Sequence, residues 1–185
     1  MTLPPCSVSA VIPSRGDVDC SGIVARLRAC PEIDDIEIVV GDSVFNRYLG
    51  AGRAQHHVVY SQDDDCLTDA GAVIAAYRPG VIVNAMTPEH AAQYPGRITL
   101  VGFGAIFDRD LIRCLDDWER DELFLRECDR VFTALNQCEF VFPEIEILPR
   151  ASDARRLWRQ PEHLRCRAEI ERRISERWRA TTCRH

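Results

Sequence analysis

The sequence predicts an α/β fold on a mostly parallel sheet. Two apolar runs near the N-terminus, Ser7–Ile12 and Ile36–Val40, have the β-branched content of strands. Between them, Val18–Ala29 carries Ile23, Val24 and Leu27 at the spacing of one helix face. A strand–helix–strand opening of this length implies a right-handed parallel crossover, and ligands of such sheets bind at the carboxyl ends of the strands.

The elements follow in order. Pro13-Ser14-Arg15-Gly16-Asp17 is the turn after the first strand, Pro31 stops the first helix, and Gly41-Asp42-Ser43 closes the second strand. Asn46–Arg53 is irregular or a short helix, and His57–Tyr60 is a buried third strand. Thr68 is placed to cap a helix over Asp69–Tyr77 that Pro79-Gly80 ends. Val81–Ala85 is a strand and Thr87–Arg97 a polar loop. Ile98–Val101 leads into Gly102-Phe103-Gly104-Ala105, where two glycines permit a bulge or a close backbone approach to a ligand. Asp108 starts a helix through Leu111, Ile112 and Leu115, and Trp118–Leu135 reads as a half-buried, acid-rich helix. Phe140–Phe142 is a strand, Pro143–Leu148 is extended, and Glu162–Arg179 is an arginine-rich helix with Leu164, Ile170, Ile174 and Trp178 as its apolar stripe.

The 185 residues suit one domain with a full core. A hydrophobic share of 46% and a charged share of 28% are those of a soluble globular protein. No apolar run is long enough for a membrane span, and Met1–Cys6 lacks the features of a signal peptide. Nine scattered cysteines without a CxxC pair argue against a zinc cage or a full disulfide framework and point to a reducing cytoplasm. Charge is uneven: residues 1–149 hold 12 Arg against 24 acids, net −12, and residues 150–185 hold 11 Arg against 5 acids, net +6. Lysine is absent, which reads as GC-rich codon usage.

The chemically telling stretch is Tyr60-Ser61-Gln62-Asp63-Asp64-Asp65-Cys66. Three consecutive carboxylates at the end of a buried strand repel one another unless cations are near. Hard oxygen ligands select Mg²⁺ or Mn²⁺, with substrate phosphates completing the shell; a solvated acidic turn is the competing reading. Arg15, Asp17 and Asp42 sit at two other strand ends, and Arg47 and Arg53 are in reach of diphosphate oxygens.

The ordered blocks VIPSRGD, IVVGD, YSQDDDC, VGFGAIF and RECDRVFTAL resemble a GT-A glycosyltransferase, similar to glycosyltransferase family 2 and to the exostosin-like catalytic domain, over roughly Cys6–Leu135. The resemblance implies a single GT-A (Rossmann-like) α/β/α sandwich over 1–185, with a nucleotide-sugar-binding core (1–149) and a basic helical segment (150–185). It implies that Pro13, Ser14 and Arg15 border the nucleobase and ribose and that Asp42 hydrogen-bonds the base. The triplet resembles the DxD motif, with Asp65 on the metal and Asp63 and Asp64 toward ribose and donor sugar, while Gly102 and Gly104 line the sugar and acceptor pocket. In the acidic helix the acceptor-facing carboxylate is Asp129, then Asp121, then Glu127; this chain has Glu127-Cys128-Asp129 where the family has adjacent Glu-Asp. His163 is the counterpart of the late metal-binding histidine, ahead of His56, His57 and His90.

The implied activity is metal-dependent transfer from a nucleotide diphosphate sugar, UDP-sugar first, to an acceptor hydroxyl, in the cytoplasm (a host's, if the gene is a phage's). Inversion and retention both stay open. The acceptor is a small molecule, a cell-wall precursor, a protein or DNA; the arginine helix favours a polyanion such as phage DNA with hydroxymethylated bases, and the core's negative charge opposes it. A sugar nucleotidyltransferase and a non-catalytic nucleotide-sugar-binding module are the competing functions, separable by pyrophosphorolysis and by UDP-sugar hydrolysis.

Overall fold

The structure, a computed structural model, describes residues 7–94, 98–149, 154, 156 and 159–182. Cys6, Arg97 and Cys183 lie outside them, and the seven described cysteines are free thiols. The strands are β1 (Val8–Ser14), β2 (Ile33–Val40), β3 (Val58–Ser61), β4 (Cys66–Thr68), β5 (Val81–Ala85), β6 (Ala105–Asp108), β7 (Gln137–Val141) and β8 (Ile145–Ile147). The α-helices are α1 (Ser21–Arg28), α2 (Asn46–Arg53), α3 (Ala70–Ala75), α4 (Pro88–Gln93), α5 (Glu122–Leu135) and α6 (His163–Thr182), with a 3₁₀ helix over Arg109–Leu115.

Six strands form the central sheet in the order β2-β1-β3-β6-β5-β7. The pairs β1–β2, β1–β3 and β5–β7 are parallel; β6 alone runs against its neighbours. The chain steps from β1 outward to β2, then returns past β1 to β3. Right-handed crossovers taken in opposite directions put α1 and α2 on opposite faces. The two cores show it: Ile23 and Leu27 of α1 pack with Ala10, Ile12 and Tyr60, while Tyr48 and Ala51 of α2 pack with Val11, Val39 and Val59. The period-two alternation of the strands sends successive residues to the two faces. The reversal of direction makes a crevice at the carboxyl ends of β1 and β3.

Helix α6 joins the core on the α2 face. Ile170 and Ile174 are fully buried in the same cluster as Phe124, Val131 and Phe132 of α5, whereas Leu164 and Trp178, assigned to the same stripe from sequence, are exposed at 75% and 44%.

Several local expectations are corrected. Thr68 ends β4 and its hydroxyl donates to the Phe103 carbonyl; the cap of α3 is Asp69, which accepts from the Ala72 N–H. The polar loop contains α4, with Thr87 as cap and Pro88 in its first turn. Asp108 does open the helix over Arg109–Leu115, as its N-cap residue, but it is also the last residue of β6, and its carboxylate accepts from the Tyr77 hydroxyl and from the Gly80 N–H at 2.6 Å. The extended segment after Pro143 becomes β8, which pairs antiparallel with β4.

Candidate functional site

The acidic triplet follows β3 at the crevice between β1 and β3. Its three acids differ in setting. Asp63 is 38% exposed, Asp64 2% and Asp65 17%. The Asp63 N–H donates to the Gly102 carbonyl at 2.7 Å, fixing the triplet against the glycine turn. A Cβ on Gly102 would stand 2.3 Å from Asp63 Oδ2, so the close approach requires glycine. Gly104 has φ +134°, and a Cβ there would meet the Tyr60 hydroxyl at 2.7 Å.

Arg47 is the hub of the site. One turn of α2 drives it into the protein, where it is 1% exposed. It donates through Nη2 to Asp63 Oδ1 at 2.6 Å and through Nη1 to Ser61 Oγ at 3.2 Å, and its Nε lies 3.4 Å from Asp129 Oδ1. Burial opposes its charge, but Asp129 and Asp63 outweigh burial and raise its pKa. Asp129 Oδ1 also accepts from the Tyr48 hydroxyl at 2.7 Å, and Oδ2 takes only a long bond, 3.4 Å, from the Val101 N–H. Burial pushes the Asp129 carboxyl above its ordinary pKa, with Arg47 opposing. Asp63, Arg47, Asp129 and Tyr48 thus form one continuous polar network through the crevice floor.

Asp65 is pushed up to about 6, first by burial and then by the charge of Asp63, with Arg156 pulling the other way. Arg156, from the segment after Pro149, donates through Nη1 to Asp64 Oδ1 at 2.7 Å and sets its Nε 3.6 Å from Asp65 Oδ2. Asp64 Oδ2 is buried without a hydrogen-bond partner.

Arg53, Asp121, Glu127 and the histidines expected here lie apart. Arg53 pairs with Glu37 Oε1 at 2.5 Å on an exposed flank. Asp121 caps α5, accepting from the Phe124 N–H at 2.8 Å and from Arg173 Nη1 at 2.6 Å; the Arg173 bond holds its carboxyl below the usual range. Glu127 and His163 meet each other, Nδ1 to Oε1 3.7 Å, among Arg126, Arg130 and Arg167 on the α5–α6 flank. Burial, then those arginines, depress His163 to about 4; burial lifts Glu127 to about 7. His56 contacts Asp34, His57 contacts Asp108, and His90 contacts Thr87. Arg15 lies 3.4 Å from Asp17, and Pro13 and Ser14 end β1 beside Val39 and Val40 of β2, which Asp42 follows. A cavity of about 430 Å³ opens beside Ser14 and Gly16, walled by Val18, Val24, Ile38 and Val40; the triplet does not line it.

Among the described residues no group of three or more His, Cys, Asp or Glu side chains gathers around one point, and no helix is long and apolar enough to cross a membrane.

No family model and no curated protein matches the sequence. Solved structures do match. The catalytic domain of Drosophila β1,4-galactosyltransferase 7, in complex with xylobiose, superposes with a TM-score of 0.52 at 12% identity, over 72% of this chain and 64% of that one. The fold is that of GT-A glycosyltransferases. S. aureus TarS (residues 1–349) matches at 13% identity over 73% of this chain and 58% of its own, TM-score 0.43; its complex with UDP-GlcNAc matches at 14% identity over 73% and 56%, TM-score 0.43. The chain thus spans less than two thirds of each of these structures.

In this GT-A frame, Tyr48, Ser61 and Val101 are the members of the network that sequence reasoning missed. Only their adjacency to Arg47, Asp63 and Gly102 hinted at them. Arg156 had no local signal at all.

Proposed function

We propose that the protein is a glycosyltransferase that moves a sugar from a nucleotide diphosphate sugar, a UDP-sugar first, to an acceptor hydroxyl, with a divalent cation (Mn²⁺ or Mg²⁺) held at the triplet. The observation that carries this reading is the Asp63–Arg47–Asp129 bridge, which ties the acidic triplet at the end of β3 to a carboxylate of α5 across the glycine turn.

The triplet's chemistry fits a hard cation: consecutive carboxylates, with Asp64 Oδ2 buried and partnerless. Asp65 would hold the ion with Asp64 beside it, and substrate phosphates would complete the shell, as suits a site offering only one or two carboxylates. When bound, the cation neutralises charge on the departing diphosphate. Arg47 pairs with Asp63 and Asp129 and holds them in place, and Asp63 and Asp64 orient ribose and sugar. Asp129 takes the proton of the acceptor hydroxyl: it is the α5 acid joined to the triplet, its Oδ2 is weakly engaged, and its raised pKa makes it a better base. Asp121, paired with Arg173, and Glu127, against His163, sit in the α5–α6 contact instead. Ser14, which ends β1, and Asp42, which follows β2, receive the base.

The test is a thermal-shift screen of nucleotide sugars with Mn²⁺. A donor at 100 times its Kd adds about 2.7 kcal/mol, or about 5–11 °C in a chain of this size. Asp65→Ala is expected to abolish the shift. Equal shifts in both proteins would refute the assignment.

A further inference from the structure

The path of the chain after β8 brings a cation onto the triplet. β8 pairs with β4 so that Ile147 faces Cys66, and the Leu148 N–H donates to the Asp65 carbonyl at 2.8 Å. The chain therefore leaves the sheet directly beside the three acids. It is anchored again at α6, whose Ile170 and Ile174 are fully buried. Between these two anchors lies Arg156, 13% exposed, with its guanidinium on Asp64 Oδ1 and near Asp65 Oδ2. These are the carboxylates to which the proposed function gives the cation.

We infer that Arg156 is the counter-cation of the triplet, and that a divalent ion must displace its guanidinium from Asp64 and Asp65 to bind. The inference rests on the metal–donor reading above. The physical reason is charge. A guanidinium satisfies Asp64 and Asp65 only by occupying the space in front of their oxygens, and a doubly charged ion there repels it at short range. Once displaced, the guanidinium of Arg156 turns from the acids to the diphosphate of the donor. Arginine suits both positions, because its planar fork pairs with carboxylate and with phosphate alike.

The experiment is a Mn²⁺ titration followed by electron paramagnetic resonance on the full chain, with and without UDP, for wild type, Arg156→Ala, Arg156→Lys and Asp65→Asn. Circular dichroism confirms that each variant is folded. Arg156→Ala is expected to bind Mn²⁺ at least about tenfold more tightly than wild type, the fold-change of losing one competing charge-assisted hydrogen bond. Arg156→Lys, which keeps a cation, is expected to stay near wild type, and Asp65→Asn to lose binding. Binding by Arg156→Ala that is equal to or weaker than wild type, while Asp65→Asn still loses it, overturns the competition and leaves the metal site standing. Mn²⁺ binding that is absent from wild type and Arg156→Ala even with UDP, or unchanged in Asp65→Asn, overturns the metal reading and the inference with it.

Discussion

Arg47→Met is the sharpest test of the network, because it deletes one buried charge and leaves two others. The guanidinium is 1% exposed and is shared by Asp63 at 2.6 Å and Asp129 at 3.4 Å, with Ser61 as its third partner. Methionine nearly conserves the stem's packing, so the loss is electrostatic. Asp63 is 38% exposed and can recover water; Asp129, at 13%, recovers little. Removing one partner of a buried ion pair costs about 3–5 kcal/mol, a large part of a typical stability of about 5–15 kcal/mol. For a chain of this size that is a drop in Tm of about 6–20 °C. Urea unfolding at pH 7 measures the free energy directly. The double variant Arg47→Met/Asp129→Asn removes the stranded carboxylate and is expected to be more stable than Arg47→Met alone, by a coupling of about 1–3 kcal/mol. A loss below about 1 kcal/mol in the single variant, or no recovery in the double, would refute the view that Arg47 exists to neutralise Asp129.

Two further predictions use the same physics. Gly104→Ala forces a side chain to φ +134° and onto the Tyr60 hydroxyl; each of these effects costs about 1–3 kcal/mol, and Tyr60→Phe is expected to relieve the second part only, as measured by urea unfolding. Glu127, lifted by burial to about 7, is protonated more readily folded than unfolded, so its contribution is most favourable below the unfolded value near 4.5 and is lost as pH rises through 7, by at most about 3 kcal/mol; Glu127→Gln is expected to flatten the fall in Tm between pH 5 and 8, and an unchanged pH profile would contradict that placement.

The parts of the fold that could be read from sequence were those set by local periodicity. β1, α1 and β2 follow from alternation and from the Ile23 and Leu27 spacing, and their order forces the crossover that sets the carboxyl ends of β1 and β2 on one edge of the sheet. The errors came where tertiary partners decide. Thr68 has the chemistry of a cap, but the ladder between β4 and β8, two segments some eighty residues apart, claims it for a strand and leaves the cap to Asp69. Asp121 and Asp129 are indistinguishable as acids in one helical pattern. The fold separates them: Asp121 falls at the N-cap, where the free N–H of Phe124 and then Arg173 engage it, while two turns later Asp129 falls opposite Arg47. The arginine helix shows the same dependence on partners. Its composition suggests a polyanion surface, yet Arg172 and Arg173 are spent on Glu169, Glu176 and Asp121, and the arginine that reaches the triplet comes from before the helix. Within the segment 150–185, of net charge +6, Arg156, Arg172, Arg173 and Arg177 each pair with acids of the same chain. Arg173 of α6 and Arg130 of α5 tie the two helices through Asp121 and Glu171, and Arg156 meets Asp64 and Asp65.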